Sequence, residues 1–303
     1  MLLRELAALK AKKQPTQVDD LTVNSPIFDT MDFHPSTHGL QHVYASLESV
    51  TGGGLVGADE ALPAADLTTK LNWKDLGILG FSIEAGIDTV KEVAGDFPSY
   101  VAMKAPGITR KTSMEAERSL IYNVLRSFAK ANGKLTSAYS NASGNDHYTL
   151  LAVRWEEDAL CGLYDPNGFG QGAMLETIYM ANGAPYKRED GKTVYGADFK
   201  SYIGFLTASK GNIAGIVNIN DSHRPTAAMI DEMLDECFAG TNGTTYIYGH
   251  PRALRMLSDI KGSAIRMTVN DKSYNRDIAD WGGVKLVPSF NFEKGTESAL
   301  SLS

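Results

Sequence analysis

The chain has 303 residues, 43% hydrophobic and 21% charged, with a formal net charge of -7. This composition fits a globular chain of roughly two domains, and the acidic balance argues against a surface built to grip nucleic acid. No run of about 18 apolar residues marks a membrane span, and MLLRELAALKAKKQP lacks the apolar core of a secretion signal. Cys161 and Cys237, with no CxxC pair, read as reduced thiols packed as small hydrophobes.

Along residues 2–12, Leu2, Leu3, Leu6 and Leu9 recur at helical spacing, with Arg4, Lys10, Lys12 and Lys13 on other faces. A polar segment without a clear period follows to Gly39, which reads as an arm ordered by a partner. The pattern predicts a helix over 40–50, then a flexible stretch at Gly52, Gly53 and Gly54. From Leu67 the alternation is strict. Leu67, Thr69, Leu71 and Trp73 fall on one side; Thr68, Lys70, Asn72 and Lys74 fall on the other. This is a strand with one apolar face, part of an open two-stranded excursion. Such a hairpin is barely stable alone, so its apolar side is expected to rest on another surface.

Residues 97–132 carry the strongest helical signal. Thr112-Ser-Met-Glu115 reads as a capping box, Pro106-Gly107 as a separator from a preceding helix, and Asn132-Gly133 as the stop. Beyond a polar loop at 137–147, short strands are predicted at 149–155, 213–219 and 244–248. Helices are predicted at 227–239 and 251–261, and a last strand at 284–290.

Four stretches invite an enzymatic reading. Gly168-Phe-Gly170-Gln-Gly172-Ala173 fits a relaxed dinucleotide fingerprint. It follows a turn rather than a buried strand, however, and the acid about twenty residues on is Glu189 or Asp190 in a hairpin-like KREDGK, so a surface loop is preferred. The glycines at 52–54 lack the Lys-Ser/Thr of a P-loop. His34, His38 and His42 are spaced by four, but Pro35 and Gly39 interrupt any helix that would align them on a metal. Gly80-Phe-Ser82-Ile-Glu84 misses the nucleophile elbow at its final glycine. No catalytic, cofactor or metal site is expected.

The order of parts (arm, glycine-bearing extended loop, long helix, α/β segment, returning strand) resembles the major capsid proteins of tailed double-stranded DNA bacteriophages. These have the Hong Kong ninety-seven-type fold, also used by encapsulins. The stretches that carry the resemblance are NSPIFDTMDFHP (24–35), KAPGITRKTSMEAERSLIYNVLRSFAKANGK (104–134), LAVRWEEDALCGLYDPNGFGQG (151–172), TAAMIDEML (226–234), YIYGHPRAL (246–254) and WGGVKLVPSFNFEKGTE (281–297). The resemblance implies an α+β fold: an N-terminal arm at 1–44, an extended β-hairpin loop at 45–80 and a peripheral domain with its spine helix at 81–149. An axial domain at 150–275 and a return strand to the peripheral domain at 276–303 complete it.

The function it implies is structural. Copies of the chain would form pentamers and hexamers of an icosahedral shell around viral double-stranded DNA, in a virion assembled in the bacterial cytoplasm. The expected partners are the chain itself, a separate scaffolding protein, a portal and decoration proteins; DNA would be enclosed without sequence-specific binding, and no membrane is involved. Leu67, Leu71 and Trp73 of the loop, with Leu6 and Leu9 of the arm, are the expected inter-subunit contacts, and Gly52, Gly53 and Gly54 the expected hinge. The alternatives are an encapsulin-type compartment or a cytosolic α/β nucleotide-binding enzyme using the GFGQG loop.

Overall fold

A computed structural model of the chain describes residues 21–55, 57, 60–61, 64–167, 175–240, 244–258, 265–266 and 280–302. In chain order, helix α1 (Pro26–Thr30) leads to strands β1 (Phe33–Pro35), β2 (Gln41–Thr51), β3 (Asp66–Asp75) and β4 (Gly77–Gly86). Helices α2 (Ile87–Val93) and α3 (Phe97–Ser119) follow, and a π-helical turn, Leu120–Arg126, carries α3 into α4 (Ser127–Ala131). Next come β5 (Leu135–Ser137), β6 (Tyr148–Arg154), β7 (Leu160–Tyr164), β8 (Glu176–Tyr179), β9 (Tyr186–Lys187), β10 (Thr193–Thr207) and β11 (Ile213–Ile219). The chain continues through α5 (Ala227–Glu236), β12 (Thr245–Gly249), α6 (Pro251–Ser258), β13 (Ile265–Arg266), β14 (Asp280–Trp281) and β15 (Val284–Pro288). The fold is α+β, built around a long helix.

Two expectations are corrected. Residues 41–51 form a strand rather than a helix, because they pair along their whole length with β3. The capping box at Thr112 and the separator at Pro106 mark no helix end: α3 runs straight through both. Its start is capped by Asp96, whose carboxylate accepts the Ser99 N–H at 2.8 Å. Phe97, Val101, Thr109, Ser113 and Glu117 are buried at multiples of four residues, so one packed stripe spans the expected break and tertiary packing overrides Pro106. A stripe repeating every four residues outruns the 3.6-residue α period, and the wider π turn takes up part of the excess.

The strands form three sheets. One runs β13-β14-β15-β12-β6-β11-β5, a second β1-β7-β10-β4 with β8 and β9 also on β10, and the third is β2-β3 alone. The first sheet is buried on both faces. Leu151 and Val153 of β6, Val217 of β11 and Tyr248 of β12 join the core that holds Ile121 and Leu125 of the π turn and Ala129 of α4. The opposite residues, Leu150, Ala152, Ile216 and Ile247, pack under Ile230 and Met233 of α5 and Leu254 and Leu257 of α6. Alternation in a strand thus divides consecutive apolar residues between two cores. The stretch 150–275 supplies strands to both large sheets. Cys161 and Cys237 are buried, and burial pushes their thiols up to about 12 and about 11.

A buried carboxylate ties three distant segments together. Glu117 of α3 is fully buried. Its Oε2 accepts the N–H groups of Ile27 at 2.9 Å and Phe28 at 3.4 Å, at the start of α1. Its Oε1 accepts Ser289 Oγ–H at 2.6 Å and Asn291 Nδ2–H at 2.9 Å. The first amides of α1 have no partner within their own helix. Ser25, the residue before that helix, does not cap them; its hydroxyl meets Ser113 at 2.8 Å. A carboxylate from another helix does the capping instead. Burial lifts the Glu117 pKa from 4.5 to about 7, against the pull of the four donors.

Folding therefore favours protonated Glu117, and its contribution to stability is complete below about pH 4.5 and lost as pH rises through 7. Glu117→Gln cannot ionise. Measured by urea unfolding, the wild-type chain should lose about 3 kcal/mol relative to Glu117→Gln between about pH 4 and about pH 8. A difference that stays flat over that range contradicts the assignment.

Candidate assembly surface

The ribbon formed by β2 and β3 stands apart from both large sheets. Its register runs from Gln41 opposite Asp75 to Thr51 opposite Asp66, with an irregularity between Leu47 and Ser49. At about 3.3 Å per residue it extends roughly 30 Å. Pairing with each other satisfies one edge of each strand; among the described residues no third strand joins them. Leu67, Leu71 and Trp73 are 61%, 69% and 60% exposed. These three expected contact residues therefore share one strand and face solvent, an arrangement that water alone does not favour. Ile78, at the start of β4, is also exposed. Leu6 and Leu9 lie outside the described residues.

The ribbon is seated at its base. Leu76 N–H donates to Leu40 O at 2.9 Å, and Tyr44 and Leu76 pack on buried Cys161, Leu163 and Leu206. His42 is buried there, with neither ring nitrogen hydrogen-bonded, and the Asp158 carboxylate stands 3.7 Å away. Desolvation lowers its pKa, against the raising effect of Asp158, and the nearby His34 lowers it further. Gly52, Gly53 and Gly54 sit at the opposite end, just past β2, with φ of 81°, 78° and 148°.

The sequence motifs with catalytic overtones are scattered. His34 Nδ1 lies 3.2 Å from Glu157, whereas His38 contacts Thr37 and the Trp73 ring. No group of three or more potential metal ligands is assembled among the described residues. Ser82 lies within β4, opposite Asp198, rather than at a strand-to-helix turn, and Glu84 accepts the Tyr186 hydroxyl at 2.6 Å. Asp190 is held by Arg188 at 2.6 Å, and residues 168–174, with the GFGQG motif, lie outside the described residues. A groove of about 480 Å³ separates the π turn from the C-terminal segment. Its charges are paired: Arg118 with Glu293 at 2.5 Å and Arg126 with Glu297 at 3.1 Å. Among the described residues no helix is long and apolar enough to cross a membrane.

No signal in the sequence marked Glu117 as a junction. Its partners lie 90 residues before it and 172 and 174 residues after it. A glutamate on the apolar stripe of a long helix is the one trace that could have drawn attention.

No family model matches the chain, and neither does any curated protein. Solved structures do match. A chain of bacteriophage Epsilon15 superposes with a TM-score of 0.53 and 12% identity, covering 89% of this chain and 88% of that one. A chain of the bacteriophage JBD30 capsid superposes with a TM-score of 0.54 and 11% identity, covering 96% of this chain and 99% of that one. This chain has the same fold as those two, over nearly its whole length.

A Cβ added at Gly52 would lie 1.9 Å from the Ala64 carbonyl oxygen, on backbone already in the left-handed region; one added at Gly53 would meet nothing within 4 Å. Gly52→Ala should therefore unzip the tip, speeding amide exchange at Thr51 and Asp66 by roughly tenfold or more. Gly53→Ala should carry only the left-handed backbone cost, about 1–2 kcal/mol. Equal protection in the Gly52→Ala and wild-type tips, read by hydrogen–deuterium exchange, would contradict this.

Proposed function

We propose that this chain is the major capsid protein of a bacteriophage, a subunit that assembles with its own copies into pentamers and hexamers of an icosahedral shell around double-stranded DNA. The observation that carries the reading is the ribbon, whose apolar residues Leu67, Leu71 and Trp73 are left mostly exposed by the described chain. The fold shared with a capsid chain supports it. The role is structural rather than enzymatic. The virion is its place of action, and a scaffolding protein, a portal and decoration proteins are the partners such a shell would use. The arm carrying Leu6 and Leu9 would wrap a second neighbour.

In this mechanism the ribbon of one subunit lies across the next, with its base fixed on Cys161, Leu163 and Leu206. Burying Trp73 contributes about 2–3 kcal/mol at each contact. Repeated around a closed lattice, contacts of that size hold a shell that no single one could, because each is made at high effective concentration once its neighbours are in place. The net charge of -7 suits a wall along which DNA slides rather than sticks.

Purified wild-type protein, seen by negative-stain electron microscopy, should form closed particles; a small soluble oligomer stabilised by a nucleotide refutes the shell. Particles filled with one enzyme instead of DNA assign the encapsulin alternative. Trp73→Ala should leave the subunit folded, with an unchanged circular dichroism melt, and reduce closed particles several-fold. Shells of normal number and heat resistance from that variant would remove the ribbon from the mechanism.

A further inference from the structure

The seat of the ribbon holds a polar side chain that its surroundings do not satisfy. His42 of β2 is 4% exposed, and neither ring nitrogen has a hydrogen-bond partner among the described residues. A buried polar atom left without a partner costs stability, and an apolar side chain would fill the same space without that cost. Tyr44, two residues on and so on the same face of β2, packs with Leu76 on Cys161, Leu163 and Leu206. The imidazole therefore lies on the side of the ribbon that meets the body. It does so where the body changes sheets, since the turn it faces joins β6 of the seven-stranded sheet to β7 of the second.

Charged groups face this histidine from three elements. On the β6–β7 turn, the Asp158 carboxylate stands 3.7 Å from His42 Nε2, beyond hydrogen-bonding reach, on a residue with a left-handed φ of 58°. Beside it Glu157 meets His34 Nδ1 of β1 at 3.2 Å, and Glu156 is engaged by Arg154 and Asn212. On the ribbon, Lys74 stands directly opposite His42 in register, and Asp75 is taken by Gln41. Cys161, its pKa pushed up to about 12, stays a neutral thiol. Neutral imidazole fits this seat better than imidazolium, whose buried charge would have one carboxylate out of reach and the cation of Lys74 across the ladder. Burial is the largest influence on His42 and lowers its pKa; Asp158 opposes it, and His34 adds to it. The contribution of seated His42 is therefore whole above about pH 6.5 and lost as pH falls through the lowered value.

We propose that His42 is an acid-released latch: neutral, it keeps the base of the ribbon seated against the β6–β7 turn, and once charged it leaves the seat and loosens that base. The latch is a property of one subunit and does not depend on the shell reading above. A seated base is held by the Leu76 N–H to Leu40 O bond and by the cover that Tyr44 and Leu76 give Cys161. Both go when the base lifts, which makes the release measurable at defined positions.

The test follows the full chain from about pH 8 to about pH 4.5. Amide exchange, corrected for its intrinsic pH dependence, should show protection at Leu76 falling roughly tenfold or more, while strand 213–219 keeps its protection. Over the same range Cys161 should open to a pyridyl disulfide, a reagent that labels thiols in acid, and Cys237 should stay closed. Loss at 213–219 or at Cys237 in step with the ribbon means general acid unfolding and overturns the latch. His42→Phe cannot charge and should abolish the step; where that variant does not fold, His42→Gln replaces it. Asp158→Asn keeps a residue that tolerates the left-handed backbone and should deepen the loss, because the carboxylate that opposes desolvation is gone. His34→Gln should leave the step in place. The latch is overturned by wild-type protein without a step, by a step that survives in His42→Phe or His42→Gln, by one that disappears in His34→Gln, or by protection that rises in acid as Asp158 closes on the imidazolium.

Discussion

The carboxylate of Glu117 is the constraint from which the rest of the body follows. A buried acid is costly unless its oxygens are met, and here both are, by donors from the first described helix and from the C-terminal segment. Moving either segment away would take two of its four donors from Glu117. A second set of polar contacts repeats the arrangement. Tyr248, fully buried, joins the Thr30 hydroxyl and the Trp155 indole N–H at 2.7 Å each. Glu297 receives Tyr122 at 2.8 Å and Thr149. The long helix is therefore held in its C-terminal half, at Glu117 and at Tyr122.

What could be read from the sequence was what local periodicity decides. The strands at 213–219 and 148–154 are dense in branched apolar residues and flanked by turns, and the helix at 227–236 carries a one-sided apolar stripe with Thr226 accepting the Met229 N–H. The alternation around Trp73 was equally plain, because the ribbon's exposed face follows the pleat. What could not be read was decided by partners far along the chain. Residues 41–51 place Val43, Leu47 and Val50 at helical spacing, yet β3 draws them into a strand. The fifteen-residue β10 was hidden because Gly196 and Gly204 interrupt its apolar alternation. Those glycines are needed: a Cβ at Gly196 would press on Met180 and Tyr186, and one at Gly204 on Leu76. The Glu117 junction exists only once the sheets have been assembled.

The Glu117 junction also bears on timing during synthesis. Ser289 and Asn291 emerge from the ribosome 172 and 174 residues after the carboxylate they satisfy. At typical elongation speeds that is on the order of ten to thirty seconds. Until then Glu117 Oε1 lacks the donors of Ser289 and Asn291, while Oε2 already has the amides of Ile27 and Phe28 within reach. The junction is therefore completed late in synthesis, once the residues around 290 have been made.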